Sequence, residues 1–93
     1  MATSASPPFT EIQGQYLAFI HAYSLVMGQP PAEADMQRFF GVTPPSVHNM
    51  VKTLERLGLI TRTPRQARSL VVLVPEDALP RLRQPIKTTG ARY

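Results

Sequence analysis

Three segments with helical apolar spacing open this chain of 93 residues, and only a short glycine-containing turn separates the second from the third. Two short apolar, β-type runs follow, with a basic loop between them. This order predicts a mainly α domain with a small β-hairpin: three helices plus a two-stranded antiparallel wing, the winged helix-turn-helix class. The length allows one domain, since domains usually run to roughly 100–150 residues.

Residues 1–9 are small, polar and proline-rich and are expected to be disordered, so the folded domain is placed at 10–82 and residues 83–93 read as a flexible basic tail. Thr10-Glu11-Ile12-Gln13 fits a capping box, in which the Thr10 hydroxyl and the Gln13 amide exchange bonds with opposite backbone N–H groups. Ile12, Tyr16, Phe19, Ile20, Tyr23, Val26 and Met27 then recur on one helical face, predicting a first helix over 11–27 that stops at Gly28 ahead of Pro30-Pro31. A second, shorter helix is expected over 33–40. Glu33 and Asp35 suit its positive N-terminus, Met36, Phe39 and Phe40 supply its apolar surface, and Gly41 ends it. Val42 and Thr43 lead directly into the third helix, with Thr43 as N-cap and Pro44 at the first helical position, where a missing N–H costs nothing.

That third helix, expected over 44–57 and closed by Gly58, is the most informative segment. At about 100° per residue, Val47, Met50, Val51, Leu54 and Leu57 share one broad arc, the core face. Pro45, Asn49, Lys52 and Arg56 form a narrow polar arc opposite, flanked by Ser46, His48 and Thr53. A recognition helix presents such an arc to a major groove, with its N-terminal part, Pro45, Ser46 and Asn49, nearest the base edges. Asparagine can bond adenine at N6 and N7. Lys52 reaches a base or a phosphate, Arg56 suits the backbone, and Thr43 with the free first-turn N–H groups suits a phosphate oxygen. A polar face is by itself ordinary. Here it follows a short turn and precedes a basic hairpin, and its single acid, Glu55, lies off the arc.

Leu59-Ile60-Thr61-Arg62 and Leu70-Val71-Val72-Leu73-Val74 read as the wing strands, and Glu76 to Leu82 as a single turn that docks Leu79 and Leu82. Arg62, Arg65 and Arg68, with Gln66 and no acid among them, make the hairpin loop a candidate phosphate clamp or minor-groove probe. An ordinary soluble turn is the competing reading of that loop. If Lys52, Arg56, Arg65 and Arg68 each neutralise one phosphate, log K falls with log salt at a slope of about −3.6 per subunit. One such module covers only about 600–1,000 Å² of DNA, so a homodimer or tandem binding is expected.

Composition narrows the function classes. Apolar residues make up 43% of the chain and charged ones 17%, enough for one core and too few charges for a disordered chain. The net charge of +4 favours polyanionic partners. The chain has no cysteine, and its two histidines, His21 and His48, show no metal-ligand spacing, so neither a metal site nor a cofactor is expected. No glycine-rich phosphate loop or nucleophile constellation stands out, and a non-enzyme without a small-molecule ligand is expected. No apolar run reaches the roughly 18–20 residues that span a bilayer, and Met1 to Phe9 do not form a secretory signal, so a cytoplasmic protein without membrane contact is expected.

At this point the chain resembles the N-terminal DNA-binding domain of LexA repressors. The marks are Pro30-Pro31, Phe40-Gly41-Val42 and Pro44-Pro45-Ser46-Val47-His48, running into Lys52-Thr53-Leu54-Glu55-Arg56-Leu57-Gly58-Leu59-Ile60, and the resemblance covers residues 10–73. It implies a winged helix, a bacterial-type transcriptional regulator binding double-stranded DNA sequence-specifically, and base-reading residues at Pro45, Ser46, His48 and Asn49. Ala32 stands where the family usually has Thr or Ser, which weakens the second helix's cap and leaves Asp35 to compensate. Gln37 stands where a small residue is common. No Ser/Lys protease domain fits after residue 73, so a self-cleavage switch is not expected. The rival reading is a winged-helix module that binds protein and carries its basic charge for solubility.

Overall fold

Local signals place the three helices. In the computed structural model, which describes residues 8–85, helix α1 spans Glu11–Met27, α2 Glu33–Phe40 and α3 Pro44–Arg56. The Thr10 hydroxyl accepts from the Gln13 N–H at 3.1 Å, and the Gln13 side-chain amide oxygen accepts from the Thr10 N–H at 2.9 Å. The capping box read from the sequence is therefore formed at both ends. Gly28 closes α1 in the left-handed region (φ 74°), its N–H bonded to the Ser24 carbonyl. Ala32 offers no side-chain cap to α2, and the Asp35 carboxylate instead accepts from the Ala32 N–H at 2.8 Å. At α3 the Thr43 hydroxyl accepts from the Ser46 N–H, with Pro44 and Pro45 in the first turn. The helix ends in a Schellman turn: Gly58 bonds the Glu55 carbonyl and Leu59 bonds that of Leu54, each at 3.0 Å.

Strands β1 (Ile60–Thr61) and β2 (Val71–Val72) pair antiparallel, Ile60 opposite Val72 and Thr61 opposite Val71. The hairpin is shorter than the two expected runs, although one further bond, from the Leu73 N–H to the Leu59 carbonyl, extends it. A single 3₁₀ turn, Glu76–Ala78, follows. Three helices with this two-stranded antiparallel sheet are the winged helix-turn-helix architecture.

The core gathers Tyr16, Leu17 and Ile20 of α1, Met36 and Phe40 of α2, Val47, Val51 and Leu54 of α3, and Leu59, Ile60 and Leu70 of the wing. At its centre the Tyr16 and Phe40 rings stack at 4.2 Å, and Phe19 and Phe39 at 4.7 Å. Residues 14–20 are buried without interruption, so α1 is covered on more than one side and not along a single stripe. Part of that cover is the chain after the wing. The buried Gln15 side chain donates to the Arg81 carbonyl and accepts from the Arg83 N–H, each at 2.9 Å. Phe9 and Pro80 approach Gly14 so closely that a Cβ there would lie 2.9 Å from the Phe9 ring.

The packing departs from several expectations. Phe9 packs against the core and Arg83 and Pro85 belong to the packed body, so the boundaries at 10 and 82 fall inside it. Val26 and Met27 are 81% and 56% exposed because the last turn of α1 runs past the partners that cover its middle. Leu57 is half exposed, since the helix ends one residue before it and turns it outward. The expected disorder of residues 1–7 and the basic tail from 86 lie outside the described residues.

The Tyr16 hydroxyl is buried with no hydrogen-bond partner among the described residues, and burial pushes its pKa from 10.0 up to about 12. An unpaired buried hydroxyl costs free energy, so Tyr16→Phe is expected to leave the melting temperature unchanged or raise it. The pH dependence has a defined sign. A folded-state pKa above the unfolded one contributes stability that is intact below pH 10 and is lost as the pH rises toward 12. Melting curves between pH 9 and 12 should therefore flatten in Tyr16→Phe relative to the parent, and an equally steep loss in both would refute this account.

Candidate nucleic-acid interface

Helix α3 divides as its wheel requires. Val47, Val51 and Leu54 are fully buried, while Pro45, Ser46, His48, Asn49, Lys52 and Arg56 are exposed along the opposite side. Thr43 and Pro44 are also exposed, at the start of the helix. Lys52 and Arg56 form no ion pair among the described residues. His48 is the exception on this face, with its Nδ1 3.6 Å from the Glu33 carboxylate of α2.

Glu33 also lines an open cleft of about 340 Å³ between the start of α2 and the wing loop, opposite Arg65, Gln66 and Arg68. The N-terminal half of α3, the start of α2 and the wing thus meet around one residue. Sequence reasoning assigned Glu33 only to the helix dipole, because its neighbours lie more than a dozen residues away in the chain.

The wing separates into outward and inward arginines. Thr63-Pro64-Arg65-Gln66 forms a turn in which the Gln66 N–H bonds the Thr63 carbonyl and Arg65 takes a left-handed φ of 64°. Proline followed by a positive φ is the type II arrangement, which ordinarily prefers glycine at the third position. Arg65 and Gln66 are exposed, and Arg65 forms no ion pair among the described residues. The Ser69 hydroxyl accepts from the Thr63 N–H at 2.9 Å and lies within bonding distance of the Thr63 and Gln66 carbonyls, closing the neck of the loop. Arg62 is held against α3 by Glu55 at 3.0 Å. Arg68 turns inward: one guanidinium nitrogen lies 3.1 Å from the Tyr23 hydroxyl, 3.1 Å from the Asp35 carboxylate and 3.4 Å from the Pro30 carbonyl. The twelve residues singled out in the sequence are therefore not equivalent, and Arg62 and Arg68 already have protein partners.

Asp35 is the hub of this arrangement. It is largely buried, accepts from the Ala32 N–H, and pairs with both Arg38 and Arg68. The Ala32 bond above all, then Arg68, Tyr23 and Arg38, hold its carboxyl below the usual value of 3.8 against the opposing effect of burial. A lowered folded-state pKa contributes stability that is present above about pH 3.8 and is lost as the pH falls through the folded value. Asp35→Asn is expected to cost about 2 kcal/mol near neutral pH, the size of a buried charge-assisted bond. Its melting-temperature gap from the parent should close below pH 4. A gap that persists unchanged to pH 2 would contradict the assignment.

Among the described residues no cluster of His, Cys, Asp or Glu can hold a metal ion, and no helix is long and apolar enough to cross a membrane.

Comparison with known proteins gives a consistent result. A family model described as the LexA DNA binding domain matches residues 6–69. LexA repressor of Thermosipho melanesiensis is 34% identical over 70 residues, 75% of this chain and 35% of the relative. LexA repressor of Zymomonas mobilis is 37% identical over 70 residues, 73% of this chain and 32% of the relative. LexA repressor of Thermobifida fusca is 29% identical over 85 residues, 90% of this chain and 34% of the relative. The chain thus spans about a third of the length of these relatives.

Proposed function

Since this chain belongs to the LexA DNA-binding domain family, we propose that it binds double-stranded DNA sequence-specifically as a transcriptional regulator, with α3 in the major groove and the wing on the backbone or minor groove. The observation that carries the reading is the uncovered outer face of α3, where Asn49, Lys52 and Arg56 are exposed, as Arg65 is on the wing. Pro45, Ser46, His48 and Asn49 lie where base edges are read, and Asn49 carries the amide that matches adenine. Thr43 and the first-turn N–H groups of α3 suit a phosphate oxygen. Lys52, Arg56 and Arg65 supply cations to the backbone, with Gln66 as an added hydrogen-bonding group at the wing tip. Arg62 and Arg68, occupied by Glu55 and Asp35, support the surface from behind.

Three phosphate contacts per domain give a slope of log K against log salt of about −2.7 in place of −3.6. Fluorescence anisotropy on a mixed-sequence duplex between 50 and 300 mM salt measures it, and a slope near zero would favour a protein partner over DNA. Selection of bound sites from random duplexes then tests base reading. A symmetric consensus is expected, because one domain of this size covers too little DNA for tight specific binding and two are needed on one site.

A further inference from the structure

The wing ladder is too short to orient the loop it carries. Ile60–Val72 and Thr61–Val71 pair, with one further bond from Leu73 to Leu59, and a two-stranded hairpin is marginal even when longer. Yet the loop holds two arginines in the left-handed region, Arg65 at φ 64° and Arg68 at φ 57°, a conformation that costs free energy for any residue with a Cβ and persists only where its surroundings enforce it. Ser69 closes the neck of the loop, and among the described residues its bonds stay within that loop. Arg68 leaves the loop: it reaches Asp35 of α2, Tyr23 of α1 and Pro30 between them, and its guanidinium carbon lies 6.0 Å from the centre of the Tyr23 ring.

We propose that Arg68 is a positioning residue whose guanidinium, seated on Asp35, Tyr23 and the Pro30 carbonyl, fixes the wing against the start of α2 and so presents Arg65 to the DNA backbone, without touching DNA itself. Both residues are left-handed, yet Arg68 is held inward by its partners while Arg65 stays in solvent. All three contacts are made by one terminal nitrogen, and the guanidinium also lies within cation–π reach of Tyr23, which a compact ammonium would give up. The strut also joins the wing to the carboxylate that caps α2.

The proposal rests on the DNA-binding reading above, and two measurements separate its failure from failure of that reading. Without DNA, backbone amide order parameters of residues 65–67 should fall from the rigid value of about 0.85 to below about 0.6 in Arg68→Met. With DNA, Arg65→Ala should weaken binding about fivefold and reduce the salt slope by about 0.9 in the parent. The same change should cost less than twofold in the Arg68→Met background. Equal costs in both backgrounds would overturn the proposal, as would a drop in slope from Arg68→Met when Arg65 is already alanine. If Arg68→Met does not fold, Arg68→Lys replaces it: the ammonium keeps one ion pair, and intermediate order and intermediate coupling are expected. A wing that stays as rigid as the parent's in whichever variant folds overturns the strut. A parent domain with no salt-dependent affinity for duplex DNA overturns the DNA reading, and the order parameters still decide the strut.

Discussion

Alanine at Asn49, Lys52 and Arg56 together is expected to weaken duplex DNA binding by about 4 kcal/mol, close to a thousandfold. On the proposed reading, one bidentate amide contact and two charge-assisted phosphate contacts are removed at once. The domain should still fold. All three side chains face away from the body, and alanine is a better helix former than any of them. Anisotropy titrations at 100 mM salt paired with thermal melts check both halves of the expectation. A loss below tenfold, or a melting temperature lowered by more than a few degrees, would show that this face of α3 is not the DNA-binding surface or that it is not free of the body.

The largest expected effect on stability lies at Phe40, on the opposite side of the domain's logic. Its ring stacks on Tyr16, meets Phe39 edge-on at 4.9 Å and lies 5.7 Å from Phe19. Phe40→Ala removes a large buried side chain and leaves a cavity at the meeting of α1 and α2, for which about 3–5 kcal/mol is the usual loss. In a domain of this size that lowers the melting temperature by roughly 20 °C. Tyr16→Phe, which deletes only the unpaired hydroxyl of the neighbouring ring, is expected to do the reverse. A small loss at Phe40 would mean that the surrounding rings collapse into the space.

The proposed binding face and the core thus use different residues, and they were legible to different degrees. The split of α3 into a Val/Leu side and an Asn/Lys/Arg side follows from spacing along one helix, and Thr10 with Gln13 announces the start of α1 from four consecutive residues. Arg68 shows where this kind of reading stops. Its identity and its place beside Arg65 suggested a phosphate contact, and nothing local distinguishes the two. The distinction comes from Asp35 and Tyr23, which stand 33 and 45 residues earlier. Gln15 is similar: a polar residue inside a helix has no visible reason to be buried until the backbone of residues 81–83 arrives beside it.

The amino-acid order alone determined the bounds of α1 and α2, the caps of all three helices, the mainly α class with its hairpin, and the face of α3 that stays in solvent. Each depends on interactions within four or five residues, where side-chain periodicity and hydrogen-bond geometry leave few alternatives. Tertiary structure decided which wing arginines remain outside, how far the strands pair, that Phe9 and Arg83 join the body, and that the end of α1 is uncovered. Those outcomes are set by which distant surfaces exclude water from one another, and an inward or outward arginine has the same local backbone until a buried carboxylate is brought within reach.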